Sequence, residues 1–460
     1  MIKKSITLII TFLLLVHVTS SQTKPVSGDF DLVIKNVNLI DGMGTEIKKN
    51  KDLFIKDGKI KNITDAKQVT YTNEIDASGK YLMPGLIDAH THPSPTGFVR
   101  YGPENFPETF AQFVHFGVTT ILVPGCSRCS YENMAVMKKL GDDHLIPAPR
   151  VIHTSPHFTM KGSHPVKTFQ TPEWVNGSSI YFINNTRQID SLVDLAAKNH
   201  SVGIKVTLED GPTRPWVPRM PQELVNAIAA RAEKNRLQVF AHVSDIHEVR
   251  MANKAGIKNL LHFVGVDIDW QNDQGLIDSL RLKKINWVTT LMIYKSFLYP
   301  FHPEWLNRKA ITDVFDEEEL ATLRNSDAMM RRSKAFVSDE TISIEQFLKP
   351  MLEDLKILHD QKFNLVIGTD QGNPFVFPGL SMHEEMEMMS LTGIKPLEII
   401  RMATHNAAVM LGVSDHIGTI QIGKYADMIL LEKNPAENIQ NTLSIWAIFK
   451  HGVKQKRITE

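Results

Sequence analysis

Cysteine is almost absent from this 460-residue chain, with Cys126 and Cys129 its only two. They stand as Cys-Ser-Arg-Cys just after an apolar run, Val118 to Gly125. Two thiolates alone make a poor zinc site, so the pair reads as a loop pair without catalytic meaning, either closed into a small disulfide in an oxidising compartment or left as thiols. An excess of one charge is also missing, since lysine plus arginine and aspartate plus glutamate number 51 each. That balance gives no reason to expect nucleic acid or an anionic membrane as partner and leaves small molecules as the default. Apolar runs of membrane-spanning length, roughly 20 residues, are lacking as well. The nearest, Ile6 to Val16 behind Lys3 and Lys4, reads as the core of an export signal over residues 1–21, with cleavage just before Ser21 or Gln22. No cysteine follows it, so a lipid anchor has no support. The expected mature protein is exported to the periplasm or beyond and free of the membrane, with a retained signal anchor as the competing reading. No internal repeat or low-complexity tract is visible.

What is present is ordinary globular material, 42% hydrophobic and 22% charged, enough for one large domain and an accessory one. Alternating, β-branched segments at Asp31 to Ile40 and Asp52 to Ile60 predict antiparallel strands, and Tyr81 to Pro84 a further short one. The other end mirrors this with Met428 to Leu431 and Ser444 to Gly452. Two β ends around a different middle predict a small β-sandwich assembled from residues 22–85 and 408–460, with the central domain inserted between them.

Residues 86–407 alternate short apolar runs with helical stretches such as Gln222 to Asn235 and Pro396 to Leu411. Eight runs can be read: Leu86 to His92, Val118 to Gly125, Arg150 to Ser155, Gly203 to Leu208, Gln238 to Val243, Asn259 to Gly265, Asn286 to Leu291 and Asn364 to Asp370. Eight β/α units predict an α/β fold of the (β/α)8 TIM-barrel type. A doubly wound open sheet would carry a glycine-rich phosphate turn after its first strand, and His90-Thr91-His92-Pro93-Ser94-Pro95 is not one.

Active sites of such barrels lie at the C-terminal ends of the strands. Six residues fall at or near those ends: His90 and His92 on the first, Lys205 on the fourth, His242 on the fifth, His262 on the sixth and Asp370 on the eighth. Imidazole and carboxylate suit zinc and related divalent metals. The one-residue gap between His90 and His92 puts both rings on the same side of an extended strand, where one ion could take both. Lys205 is the odd member, because an ammonium among cations is strongly disfavoured and must be displaced, neutral or chemically changed. Carbamylation by carbon dioxide would turn it into an anionic bridge with two oxygens. Taken singly, each residue has an ordinary reading as a loop-mouth histidine, a salt-bridged lysine or a satisfied barrel histidine. Their joint placement on five strands is hard to reach by chance.

The segments Pro84 to His92, Gly203-Ile204-Lys205-Val206, Ala241-His242, Leu261-His262, Gly368-Thr369-Asp370 and Gly423 to Asp427 resemble the amidohydrolase superfamily in its binuclear, carbamylated-lysine branch. With Ala403-Thr404-His405-Asn406-Ala407-Ala408 and the flanking β-sandwich, the chain is most similar to imidazolonepropionase-related and prolidase-like members. The resemblance implies two divalent ions, zinc or else manganese or cobalt. It implies His90 and His92 on one, His242 and His262 on the other, carbamylated Lys205 and a hydroxide between them, and Asp370 on the first ion as proton shuttle. The implied reaction is hydrolysis of an amide or cyclic amide bond in a small molecule. A Xaa-Pro-type dipeptidase is the nearest rival, then a phosphotriesterase or lactonase, whose barrels generally lack the sandwich. A non-catalytic relative would be expected to lose ligands, and one-metal deaminases carry a glutamate where Val243, Ser244 and Asp245 follow His242.

Other candidates come from the loops. His164 matches a substrate-facing histidine of relatives, although Lys161-Gly162-Ser163 departs from their Gly-Gly-His pattern. Tyr294, past the seventh strand, could donate to a carbonyl oxygen. Arg214 and Arg219, after the fourth, could catch a substrate carboxylate but read more readily as surface charges. His383 reads as structural. A homo-oligomer is left open.

Overall fold

The computed structural model describes residues 29–65, 71–94, 103–169, 174–263 and 268–460, so the expected export signal lies outside the described residues. Among them no helix is long and apolar enough to cross a membrane. The strands at the N-terminal end are β1 (Leu32–Ile40), β2 (Ile47–Lys56), β3 (Lys59–Asp65), β4 (Glu74–Asp76) and β5 (Tyr81–Pro84). The middle carries β6 (Leu86–Asp88), β7 (Val118–Val123), β8 (Arg150–His153), β9 (His157–Thr159), β10 (Ile180–Phe182), β11 (Gly203–Thr207), β12 (Gln238–His242), β13 (Asn259–Leu261), β14 (Asn286–Val288) and β15 (Asn364–Val366). The C-terminal end adds β16 (Met428–Leu431), β17 (Ile445–Lys450) and β18 (Val453–Lys454).

Both ends of the chain build one eight-stranded sheet, ordered β18-β17-β16-β5-β1-β2-β3, with β4 also on β1. Its centre is the antiparallel pairing of β16 with β5, from Met428 opposite Pro84 to Leu431 opposite Tyr81. Leu39, Leu53, Leu82, Met428, Leu430 and Phe449 bury one face of it. The turn from β2 to β3 is Asp57-Gly58 with both φ positive, 52° and 70°, the backbone that lets a two-residue hairpin follow the strand twist. Because β5 is separated from β6 by Gly85 alone, this sheet feeds directly into the middle of the chain.

The middle strands are parallel and α/β, in two sheets, β6-β7-β8 and β10-β9-β11-β12-β13-β14-β15. Each of the eight predicted runs carries one strand. Backbone bonds join the sheets at one edge, from Val202 N to His153 O at 2.9 Å and from Ser155 N to Gly203 O at 2.8 Å. They join them again at the other, from Ala89 N to Ile367 O at 3.2 Å and from Asp370 N to His90 O at 2.8 Å. The unforeseen pair β9 and β10 has a local cause. Pro156, which has no N–H to donate, interrupts the third run, and β9 resumes beside β11 with His157 opposite Lys205.

The helices carry their apolar residues on one side, as Leu224, Val225, Ile228 and Ala232 do in Gln222–Lys234. Between β14 and β15 the chain makes several helices where one would suffice, including Met292–Leu298, Asp327–Phe336 and Ile344–Asp360. Ser326 caps the second and Ser343 with Gln346 forms a capping box on the third. Glu385, buried in the helix Leu380–Ser390, accepts from the backbone N–H groups of Leu291 and Met292, each at 2.7 Å, and from the Thr289 hydroxyl. That carboxylate fastens the start of the insertion to the helix that follows β15. Glu385→Ala strands these donors in the interior and is expected to cost about 3 kcal/mol. Chemical denaturation measures it, and an unaltered midpoint would show that the insertion is held elsewhere.

Candidate metal centre

The site grows from a clip between the first and last middle strands. Asp88, fully buried, accepts from His90 N at 3.2 Å, Thr369 N at 3.0 Å and Thr369 Oγ1 at 2.6 Å. Gly368 permits the approach, because a Cβ there would stand 2.5 Å from Val288 Cγ1 and 3.0 Å from His90 N. As a result the Nε2 atoms of His90 and His92 lie 3.2 Å apart, and Asp370 Oδ1 lies 3.4 Å from the first and 2.9 Å from the second. The Gly125 carbonyl faces His92 Nδ1, which must carry the proton and leaves Nε2 its lone pair. His262 Nδ1 is 3.9 Å from Asp370 Oδ2 and 3.2 Å from Thr290 Oγ1. All three of these last residues have positive φ, 74° at His262, 51° at Thr290 and 58° at Asp370. Such backbone costs energy outside glycine, most of all at β-branched threonine, and its clustering marks a functional place.

On the other side Lys205 rises from β11 with its Nζ buried and without a hydrogen-bond partner among the described residues. Burial brings its pKa down to about 7, against the pull of the Asp370 and Glu209 carboxylates. The His242 ring lies 4.1 Å from that of His262, and its Nε2 contacts Glu209 Oε2. His164 joins there, with Nε2 3.6 Å from the same oxygen and Nδ1 2.7 Å from Thr168 Oγ1. Two donor groups result, His90 with His262 and Asp370, and His164 with Glu209 and His242, the ligand atoms of each within 4.8 Å of one another. Burial first, then neighbouring cationic groups, holds His90, His242 and His262 well below the usual imidazole range, so they are neutral and can donate lone pairs. With His262 Nε2 and Lys205 Nζ also without a hydrogen-bond partner among the described residues, the donor set fits divalent cations.

The structure therefore brings together all six residues singled out in the sequence, and His164 with them. Tyr294 lies on Met292–Leu298, its ring against Phe297 and Phe347. Arg219 is not a surface charge: it faces Asp210 at 3.2 Å, Glu248 at 3.1 Å and Asp245, which leaves it engaged by carboxylates from separate segments. Arg214 is exposed beside Trp216. His383 is structural, bound at 2.8 Å to both Thr442 Oγ1 and Phe116 O. Cys126 and Cys129 form a buried disulfide immediately after Gly125, whose carbonyl holds His92. Sequence reasoning passed over Glu209 and His157. Glu209 follows the fourth run as Asp370 ends the eighth, so the same criterion would have found it. His157, its Nε2 buried and unpartnered 6.3 Å ring to ring from His92, stands beyond Pro156 and outside any predicted strand.

Residues 81–455 match the model of the amidohydrolase family. Adenine deaminase 1 of Latilactobacillus sakei subsp. sakei (strain 23K) is 24% identical over 420 residues, 90% of this chain and 56% of that protein. The chain thus spans about half the length of that curated relative. The dihydroorotase of Thermoanaerobacter sp. (strain X514) is 45% identical over 67 residues, 15% of each chain. Among solved structures, a Xaa-Pro dipeptidase with methionine in its active site superposes with a TM-score of 0.71 at 19% identity, over 92% of this chain and 99% of that one. The A. niger ochratoxinase gives 0.70 at 19% identity, over 93% and 95%. At these identities the likeness is one of fold.

The clip at Asp88 has a measurable consequence. Asp88→Ala releases Thr369 and the His90 backbone, and the affinity for zinc, read by competition with a chelator, is expected to fall by about 10- to 100-fold. Wild-type affinity in a variant of unaltered circular dichroism would show that strand pairing alone aligns the donors.

Proposed function

We propose, for a chain that belongs to the amidohydrolase family, a metal-dependent hydrolase that cleaves a carbon–nitrogen bond, amide or cyclic amide, of a small molecule. The observation that carries this reading is the buried, unpartnered Lys205 Nζ among neutral imidazoles and the Asp370 carboxylate. An amine so placed is poorly accommodated as an ammonium and well used as a carbamate, formed with carbon dioxide. His90, His92 and Asp370 would hold one divalent ion and His242 and His262 a second, His262 lying within reach of both donor groups, with carbamylated Lys205 between them. Zinc suits the donors, as do manganese and cobalt. Two such ions, when bound, would supply Lewis acidity at a carbonyl oxygen and lower the pKa of water. Asp370, buried and in reach of both His92 and His262, would take a proton from the attacking water and return it to the leaving nitrogen. His164 would face the substrate.

The two parallel sheets, bonded to each other at both edges, are read as one closed (β/α)8 barrel over residues 86–407, and the terminal sheet as an accessory domain from 22–85 and 408–460. An export signal at 1–21 would place the enzyme in the periplasm or outside the cell. A second reading of the bridge is favoured by the contact between His242 Nε2 and Glu209, whose carboxylate could stand where the carbamate is proposed.

Metal analysis of protein loaded with zinc and bicarbonate is expected to give about two ions per chain. A panel of N-acyl amino acids, dipeptides, cyclic ureides and imidazolones then identifies the class that is turned over. Lys205→Ala is expected to retain about one ion and to lose at least ~100-fold in kcat/KM, whereas Glu209→Gln keeps two. The reverse pattern would assign the bridge to Glu209, and a single ion in the saturated wild type would remove the two-metal reading.

A further inference from the structure

The motif Cys126-Ser127-Arg128-Cys129 takes no part in the proposed chemistry, yet it follows directly on the residue that supports His92. The strand β7 is bonded to its neighbours as far as Val123, whose carbonyl accepts from Thr154 N at 3.1 Å. Beyond it, neither Pro124 nor Gly125 makes a backbone–backbone hydrogen bond among the described residues. Gly125 nevertheless carries the acceptor that faces His92 Nδ1. Its φ of 71° suits glycine, and a Cβ there would stand 2.6 Å from His157 Cδ2, so the His157 ring packs where a side chain would go. What restrains the chain on the far side of Gly125 is the disulfide.

The bond closes a short ring, Cys126 to Cys129, across which Cys129 N also donates to Cys126 O at 3.1 Å. Both cysteines are buried, and the ring runs on into the helix Tyr131–Asp142, where the Ser130 hydroxyl accepts from Asn133 N at 3.2 Å and Asn133 Nδ2 donates to Arg128 O at 2.7 Å. Gly125 is thus held between a strand end and a crosslinked turn anchored on a helix. His92 depends on that support more than its fellow donors do. Its side chain is 20% exposed, against 0% for His90, 7% for His262 and 11% for Asp370, so packing fixes its ring least. The bond to Gly125 also selects its tautomer, since a carbonyl only accepts. We propose that the Cys126–Cys129 disulfide is a positioning group for the metal centre. By holding the Gly125 carbonyl in place it keeps the His92 ring in the tautomer and orientation that offer Nε2 to the first ion. The proposal rests on the metal-dependent reading, in which His92 is a ligand, and gives the disulfide no contact with substrate.

The test reads zinc affinity by chelator competition, with bicarbonate present, in the full chain. It compares the wild type, the double variant Cys126→Ser with Cys129→Ser, His92→Ala, and all three substitutions together. Serine leaves no thiolate that could take zinc itself. The double variant is expected to bind one ion about 10- to 100-fold more weakly, the same ion that His92→Ala weakens, and the other within about 3-fold of the wild type. In the His92→Ala background the two serines are expected to change the affinity by less than about 3-fold, because the residue they act through is gone. Gly125→Ala, which drives a Cβ into His157 and leaves the sulfurs alone, is expected to weaken that ion too. Wild-type affinity in the double variant or in Gly125→Ala, equal loss at both ions, or the same loss with and without His92 would overturn the proposal. A double variant that does not fold makes the bond a structural element and overturns it as well. A wild type that takes up no zinc would remove the metal-dependent reading itself, an outcome distinct from an insensitive disulfide in a protein that binds its ions.

Discussion

The carboxylate of Asp88 takes three hydrogen bonds, two of them from Thr369, and through them it ties the strand end that carries His90 to the one that carries Asp370. Everything in the centre follows from that closeness. The chain separates the two ends by most of its length, and only a fully satisfied buried acceptor and a glycine at 368 let their backbones touch. Burial pushes the Asp88 carboxyl up to about 7 even as Thr369 and His90 pull it down, a measure of how dry the clip is. A dry clip resists exchange with water and so holds the strand ends, and the donor atoms on them, in one arrangement.

The same dryness decides the chemistry available. It keeps the imidazoles neutral, strips Lys205 of partners, and stores left-handed backbone at His262, Thr290 and Asp370. Around it the protein pairs its buried charges carefully. Glu384, for which burial alone would raise the pKa, is held at about 2 by Lys295 and Arg308, both from the insertion, and so pins that insertion to the helix Leu380–Ser390. Arg219 likewise gathers Asp210, Asp245 and Glu248. Against this pairing the Lys205 amine stands out, buried and without a hydrogen-bond partner among the described residues.

Legibility in the sequence tracked how local each signal was. His90, His92, Lys205, His242, His262 and Asp370 could be read because residue type and position at the end of an apolar run are both local, and strand ends are where parallel α/β folds gather side chains. Glu209 met the same local test and was passed over for lack of a matching motif. His157 could not be read, because its strand starts after a proline break. Arg219 was misjudged since its three partners come from two segments remote from it, Asp210 nine positions away and Asp245 with Glu248 at the start of the helix Ile246–Lys254. The helices of the insertion have clear caps, but no periodicity says over which part of the protein they fold.

By itself the sequence determined the alternation of strand and helix, the terminal strands, and the identity and order of the six central donors, because each depends on neighbours within a turn or a strand. The tertiary structure alone decided that Asp88 meets Thr369, that Glu209 and His164 join His242, and that Arg219 is engaged by carboxylates. Those are contacts between residues far apart in the chain, and they are set by how the strands pack and by which buried charges find partners, neither of which a local pattern encodes.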